Sequence, residues 1–286
     1  MKTTNQLFKL SSLSIIWFWL ITFAFIPIFV IFCTSFLTSS FANIVIFKFT
    51  LKNYLDIINP IYLRVFLHSF FMAGASTLIC LVIGYPFAYF IAKGIQRYRP
   101  LFLMLVIIPF WTSSLIRTYA ILTIFKTKGI LNTLLLGLGI IHHPLDLLYT
   151  DISVFVGLTY NLLPFMILPL YANIEKLDDR LIEAAHDLGA GKLRTFRKVI
   201  IPITIPGIIS GVMLVFLPAM TLFYIPTLLG GAKSLLMGNL LENLFLEALN
   251  WPLGSAVSVS LIIILGLMLF AYYHTNKRSE QEGRLL

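Results

Sequence analysis

Charged side chains are concentrated between residues 175 and 200. In the same stretch, apolar residues recur at helical spacing, at Leu181, Ile182, Ala185 and Leu188. Glu183 and Asp187 stand one turn apart on another side, which predicts a short amphipathic helix with a carboxylate available for an ion pair. Gly189 and Gly191 follow, and a glycine can adopt the positive φ with which a helix ends and the chain turns. The pattern predicts a helix, a sharp turn and a second helical segment.

Motifs of catalysis and cofactor binding are absent from the sequence. There is no G-x-x-x-x-G-K-[ST] loop, no H-E-x-x-H, no G-x-S-x-G and no Cys/His cluster with metal-ligand spacing. Cys33 and Cys80 lie in separate apolar segments and are expected to be packing residues. The sequence therefore predicts no catalytic site, no metal and no cofactor in this chain.

Four residues in the apolar segments have side chains that suit a cation: Trp111, Tyr160, Asn161 and Tyr224. Amide and hydroxyl oxygens accept hydrogen bonds from an ammonium group, and aromatic faces attract cations. These residues are the candidate lining of a path for a cation. Helix packing and anchoring at the membrane surface remain equally open for each of them.

Arg117 is a charged residue in an otherwise apolar segment. A charge in hydrocarbon is costly unless it faces protein or a water-filled path. Because its fixed positive charge would repel a cation, we expect a structural role. In that role Arg117 would pair with a helix end or with an acidic loop residue.

Membrane-spanning elements must position these residues. Of 286 residues, 59% are hydrophobic and 12% are charged, which leaves too few polar side chains to cover a water-facing surface. Runs with almost no charge predict six helices in a single transmembrane domain over 1–286, since a spanning helix needs about 20 apolar residues. They lie at about 13–37, 65–92, 100–125, 152–174, 201–229 and 252–275. The runs lack the alternation of barrel strands, so the predicted fold class is an all-α integral membrane protein.

The distribution of Lys and Arg predicts the orientation. If the N-terminus is cytoplasmic, 14 of the 21 basic residues lie on the cytoplasmic side, including those of 175–200. Cytoplasmic loops of membrane proteins carry such an excess. Five of these 14 basic residues lie in the two terminal segments: Lys2, Lys9, Lys277, Arg278 and Arg284. We therefore expect both termini in the cytoplasm, and nucleic-acid binding is disfavoured because the charge is spread over separate loops.

The loop 175–200 resembles a known family. Glu183-Ala184-Ala185, then Gly189, then Val199-x-Ile201-Pro202 is similar to the EAA motif of type I ABC-importer permeases, written EAA-x3-G-x9-I-x-L-P. The resemblance implies the six-helix, MetI-like fold and a helix–turn–helix that docks on a cytoplasmic ATPase. Glu183, Ala184, Ala185, Gly189 and Pro202 are then the expected ATPase-coupling residues, with ATP and Mg bound on the partner ATPase.

Further segments resemble PotB-type spermidine/putrescine permeases along nearly the whole chain. They are 109–117 (PFWTSSLIR), 162–166 (LLPFM), 174–177 (IEKL) and 230–233 (GGAK). This resemblance implies an importer of polyamines in the bacterial inner membrane. It also implies a PotC-like second permease subunit, two PotA-like ATPase subunits and a PotD-like periplasmic binding protein. A permease for another substrate, such as an oxyanion or ferric iron, remains the alternative, and an ATPase-independent channel or membrane enzyme is more remote.

Overall fold

The structure is a computed structural model that describes residues 13–40, 44–94, 96–231 and 234–283, with side chains described as far as residue 270. Five residues named above lie outside the described residues: Lys2, Lys9, Ala232, Lys233 and Arg284. The side chains of Lys277 and Arg278 do so as well.

The described secondary structure is helical apart from one isolated bridge between Thr38 and Ile46. In chain order the α-helices are α1 (Leu13–Thr34, with a π-helical turn at Ile21–Phe25), α2 (Lys52–Ile57), α3 (Pro60–Lys93), α4 (Arg99–Ile107), α5 (Ser114–Phe125), α6 (Ile130–Gly137), α7 (Asp151–Ile174), α8 (Asp179–Asp187), α9 (Lys192–Thr195), α10 (Ile201–Thr221), α11 (Met237–Glu242) and α12 (Trp251–Gly283).

Six segments of the described residues are long and apolar enough to cross a membrane, which confirms the predicted all-α membrane fold. They are Leu13–Thr34, Pro60–Lys93, Ser114–Gly137, Asp151–Ile174, Lys192–Thr221 and Trp251–Phe270. At about 1.5 Å per residue, even the shortest is close to the thickness of a bilayer core.

The third segment differs from the predicted helix at 100–125. The chain forms α4, a 3₁₀ turn at Ile108–Trp111 and then extended backbone at Thr112, where ψ is 142°. Pro109 has no N–H to donate, and the Thr112 hydroxyl donates to its carbonyl oxygen at 2.8 Å, which favours a turn over a continuous helix. By length and hydropathy the candidate spanning segment is Ser114–Gly137, within which a short turn separates α5 from α6.

The fifth segment is also interrupted within its predicted range of 201–229. α10 ends at Thr221, Leu222 is extended with ψ at 124°, and a π-helical turn follows at Pro226–Gly230. Asn239 stabilises the break, because its amide donates to Phe223 O at 3.0 Å and to Thr227 Oγ1 at 2.6 Å. Irregular backbone in a membrane protein is tolerated where protein groups satisfy it in this way.

The described residues divide into two compact units. The first comprises the described parts of Met1–Leu63 and Leu241–Leu286, in which α12 packs against α1 and α2. Asn53 of α2 is buried, and its amide donates to Ser35 O at 2.9 Å and to Leu37 O at 2.8 Å. These bonds satisfy carbonyls left free where α1 ends.

The second unit, Arg64–Leu240, is built around the contact between α7 and α10. A Cβ added to Gly207 of α10 would lie 2.6 Å from Asn173 Cβ, and one added to Gly211 would lie 2.6 Å from Met166 Sδ. Glycines four residues apart thus let the two helices approach closely. The pair Gly207/Gly211 therefore packs against a helix of this chain.

Candidate coupling loop and translocation path

The predicted coupling loop, 175–200, begins with α8. Asp178 caps this helix, since its Oδ1 accepts a hydrogen bond from the Arg180 N–H at 3.0 Å. A capping carboxylate satisfies one of the free N–H groups of the first turn. Leu177 is buried beside it, with 5% of its surface exposed, so the start of α8 is fixed to the rest of its unit.

The end of α8 shows why Gly189 stands where it does. Gly189 has φ +77°, its N–H donates to His186 O at 2.9 Å, and the Ala190 N–H donates to Ala185 O at 3.0 Å. This is a Schellman motif, in which a residue in the left-handed region reverses the chain and satisfies the last carbonyls of the helix. The conformation predicted for Gly189 is therefore present.

The second helical segment of the coupling loop runs on into the fifth span. Gly191 precedes α9 with φ −67°, so it does not use the left-handed region that the sequence allowed. α9 leads into a π-helical turn at Phe196–Ile200, where the Ile201 N–H donates to Phe196 O. Pro202 follows; it lacks an N–H and its ring crowds a regular helix, so the wider turn accommodates it.

Most of the expected ATPase-coupling residues lie on the surface of this chain. Glu183, Ala184 and Gly189 are exposed, and Ala185 is partly exposed. The two alanines put little side-chain bulk on this side of α8, which leaves room for the backbone of a partner. The structure thus places the EAA residues on an accessible helix–turn–helix.

Leu188, an apolar residue of the predicted amphipathic helix, lies on the surface of the chain. It is 89% exposed at the end of α8, and Leu193, at the start of α9, is 70% exposed. The sequence pattern placed Leu188 on the apolar side of an amphipathic helix. In the structure the Leu188 side chain is not packed against the rest of the chain. Two exposed leucines therefore flank the turn, and each is available for an apolar contact with a partner.

The candidate path residues occupy different environments. Trp111 is 78% exposed, Tyr160 is 48% exposed and Tyr224 is partly buried. Asn161 is buried, with 3% exposed, and its amide donates to Gly157 O at 2.9 Å and to Thr118 Oγ1 at 3.4 Å. Neighbouring residues on a helix point about 100° apart, so Tyr160 faces outward while Asn161 faces the packed interior. Their place in a translocation path stays a prediction.

Arg117 contacts an aromatic ring. Its guanidinium carbon lies 6.0 Å from the centre of the Phe110 ring, and Phe110 in turn packs edge-on against Phe165, with ring centres 4.9 Å apart. Among the described residues, Nε and Nη1 of Arg117 have no hydrogen-bond partner. Of the two partners expected for Arg117, a helix end or an acidic loop residue, neither is bonded by these two nitrogens in the described part of the chain.

Within the described residues, no group of His, Cys, Asp and Glu is arranged to hold a metal ion. The geometry that stands out is instead an exposed helix–turn–helix on a bundle of membrane-spanning segments. Such an arrangement can transmit a partner's movement to the spans.

Comparison with known proteins identifies the family. Residues 81–280 match the family described as the inner membrane component of binding-protein-dependent transport systems. The chain belongs to this family: it is a multi-pass membrane permease subunit of an ABC importer and not an enzyme. A binding protein and an ATPase are the partner classes of such a subunit.

Individual relatives are close in sequence. The chain is 51% identical over 277 residues to the spermidine/putrescine transport system permease protein PotB of Haemophilus influenzae, covering 97% of each chain. It is 52% identical over 268 residues to the protein of the same name from Escherichia coli K12, covering 92% of this chain and 98% of the relative. These matches confirm the resemblance noted from the sequence segments.

A solved structure shows the same fold at low sequence identity. A bacterial ABC transporter involved in the import of the acidic polysaccharide alginate aligns with a TM-score of 0.78 at 16% identity, over 97% of this chain and 96% of that chain. At this identity the likeness concerns the fold alone.

Proposed function

We propose that this chain is the permease subunit of an ATP-driven importer that moves polyamines, spermidine and putrescine, from the periplasm to the cytoplasm. The observation that carries the proposal is the 51–52% identity to PotB permeases over more than nine tenths of the chain. The matched regions cover 97% and 92% of the chain, so they include the spans as well as the coupling loop.

The partners follow from the same similarity. A PotC-like permease would supply the other half of the pathway, two PotA-like ATPase subunits would bind ATP and Mg, and a PotD-like periplasmic protein would deliver the polyamine. Both termini and the coupling loop would be cytoplasmic, in agreement with the excess of basic residues on that side. This chain itself would need no cofactor.

The coupling loop would be the docking element for the ATPase. The exposed Glu183 would pair with a basic residue there, Ala184 would allow close approach, and the exposed Leu188 would be buried in the contact. Complete burial of a leucine side chain stabilises an interface by about 1.5–3 kcal/mol. The rigid turn at Gly189 would hold these groups in one arrangement.

The translocation path would use aromatic faces more than carboxylates. Trp111 and Tyr160 are exposed on the second unit, and their rings would attract the ammonium groups of a polyamine. Tyr224 is partly buried next to the break after α10, where the backbone is irregular. Asn161 donates within the chain through its amide nitrogen, whereas its buried Oδ1 has no hydrogen-bond partner among the described residues and would be the atom that accepts from an ammonium group.

Uptake by the reconstituted transporter tests the proposal. The chain is assembled in proteoliposomes with its cognate second permease, ATPase and binding protein, and import of radiolabelled spermidine and putrescine is measured with and without ATP. We expect ATP-dependent import of at least one polyamine. Import of an oxyanion or of ferric iron, with neither polyamine transported, would contradict the assigned substrate class.

A further inference from the structure

Two ion pairs connect the entrance of the coupling loop to the ends of the membrane helices. Lys93, the last residue of α3, lies 2.5 Å from Asp179 Oδ1 through its Nζ. Arg99, the first residue of α4, lies 2.8 Å from Glu175 Oε1 through its Nη1. Glu175 directly follows α7, and Asp179 begins α8. The four residues Lys93, Arg99, Glu175 and Asp179 are called the entrance clamp below.

The clamp also uses backbone groups at the helix ends. Lys93 Nζ donates a second hydrogen bond to Leu177 O at 2.7 Å, and Arg99 Nη2 donates to Ala92 O at 2.6 Å. Ala92 O is one of the last carbonyls of α3, which have no partner within that helix. Cations at the C-terminus of α3 and a carboxylate at the N-terminus of α8 also complement the two helix dipoles.

Burial distinguishes the clamp from ordinary surface ion pairs. The side chains of Lys93 and Arg99 are only 15% and 24% exposed, whereas those of Asp179 and Glu175 are 69% and 40% exposed. A cation held largely out of water needs its acceptors, while exposed pairs contribute little. The two basic residues, Lys93 and Arg99, are therefore the members of the clamp that most depend on these contacts.

The exit of the coupling loop is attached to the same helix, α3. The Tyr85 hydroxyl lies 2.9 Å from Thr204 Oγ1 of α10, and its ring packs edge-on against Phe196, with ring centres 5.6 Å apart. Tyr85 and Lys93 are eight residues apart, about 12 Å along α3. The C-terminal third of α3 therefore contacts both the entrance and the exit of the coupling loop.

We infer that the entrance clamp is the connection through which movement of the coupling helix α8 is transmitted to α3, α4 and α7. The inference rests on the proposed docking of an ATPase on the coupling loop. With the clamp intact, a shift of α8 pulls three helix ends together. Without it, α8 moves with the ATPase while α3 is held to the coupling loop only through the exit contact at Tyr85, so more ATP is hydrolysed for each substrate transported.

Neutral variants of the clamp test this inference in the assembled transporter. We expect Lys93→Met, Asp179→Asn and Glu175→Gln to retain ATPase binding, because none of these residues lies on the exposed Glu183–Leu188 surface. The number of ATP molecules hydrolysed per polyamine imported should rise at least twofold. The exchanged pair Lys93→Asp with Asp179→Lys should return the ratio toward that of the unaltered protein. An unchanged ratio in all three neutral variants would overturn the inference.

A second measurement does not depend on the substrate. Hydrogen–deuterium exchange is followed at residues 84–93 and 179–190 of the assembled complex, with and without ATP and vanadate. In the unaltered protein both segments should respond to nucleotide. In Lys93→Met the response of 179–190 should be kept and that of 84–93 should be reduced, since only the exit contact through Tyr85 and the Arg99 bond still reach that segment. An equal response of 84–93 in this variant, or no response of 84–93 in the unaltered protein, would contradict the inference. Failure of polyamine import with a normal exchange response would instead count against the proposed substrate alone.

Discussion

Individual residues of the coupling loop have separable physical roles. Gly189 and Gly191 are two positions apart, and a Cβ added at either would meet nothing within 4 Å. They differ in backbone conformation, because Gly189 has φ +77° and Gly191 has φ −67°. The glycine at 189 is therefore required by its left-handed backbone conformation and not by a lack of space for a side chain.

The substitution Gly189→Ala should destabilise the end of α8, with Gly191→Ala as the matched control. A left-handed conformation costs a residue with a Cβ roughly 1–2 kcal/mol, which corresponds to about a 5- to 30-fold change in an opening equilibrium. Amide exchange of 179–190 should accelerate by that factor in Gly189→Ala and by clearly less in Gly191→Ala. Equal acceleration in the two variants would show that backbone strain at 189 is not the cause.

Tyr160 and Tyr224 provide a residue-scale test of the translocation path. Replacing either with Leu should lower polyamine uptake per assembled complex by a few-fold up to about thirtyfold, because a cation–π contact contributes roughly 0.5–2 kcal/mol. Tyr160→Phe keeps the ring and should retain most of the uptake. ATPase binding should stay normal in all of these variants.

Arg117→Ala is the contrasting substitution. Because the Arg117 guanidinium packs on Phe110, its loss should reduce the amount of folded permease more than the uptake per folded molecule. Uptake that is unchanged in both tyrosine-to-leucine variants, together with altered substrate preference in Arg117→Ala, would reverse these assignments. Yield is measured by size-exclusion chromatography in detergent.

At the scale of elements, the coupling loop is a capped helix–turn–helix between two spans. α8 is fixed at its start by the Asp178 cap and at its end by the Schellman motif, and the π-helical turn before Pro202 joins α9 to α10. Its outer surface is accessible and its two ends are attached to α3. These properties suit an element that transmits the movement of a bound partner to the membrane helices.

Reversal of charge at Glu183 should weaken this docking. Glu183→Lys places a cation where a basic partner residue is expected, so ATPase association and stimulated hydrolysis should both fall. Asp146→Lys changes the net charge equally, on an exposed loop that is expected to face the other side of the membrane. Normal assembly and normal stimulated hydrolysis in Glu183→Lys would rule out this residue as part of the docking surface.

Truncation of Leu188 should lower the affinity for the ATPase without changing the stability of the permease. Leu188→Ala removes an apolar group that is 89% exposed, so the stability of the isolated permease should not change. If the ATPase buries this side chain, affinity should fall about tenfold, which corresponds to ~1.4 kcal/mol. Leu138→Ala, at a residue that is 71% exposed after α6, is the matched control and should leave affinity unchanged. A binding assay with the purified ATPase distinguishes the two.

At the scale of the whole molecule, the orientation in the membrane is the testable feature. Ala190→Cys should react with a membrane-impermeant thiol reagent only from the cytoplasm, and His143→Cys only from the periplasm. Cys33 is exposed and must first be replaced with Ser, whereas Cys80 is buried and can remain. Labelling with the opposite sidedness would refute the predicted topology.

Much of the fold could be predicted from the sequence. The six apolar segments, their helical nature and the helix–turn–helix at 179–195 all follow from local pattern, since membrane helices and caps depend on residues close in the chain. The break at Thr112 and the break at Leu222 were not predicted. Pro109 precedes the first break and Pro218 the second, but a proline in the sequence does not by itself distinguish a kinked helix from a broken one.

The sequence by itself determined that the chain is a membrane protein, that its fold is helical, and that it carries the motif at Glu183–Gly189. The tertiary structure decided which groups meet: that Lys93 reaches Asp179, that Arg99 reaches Glu175 and Ala92 O, and that Asn161 is buried while Tyr160 is exposed. Helical propensity and apolar pattern act over a few neighbouring residues, so they can be read along the chain. Ion pairs between residues more than 70 positions apart depend on how the spans pack, and no local pattern encodes that distance.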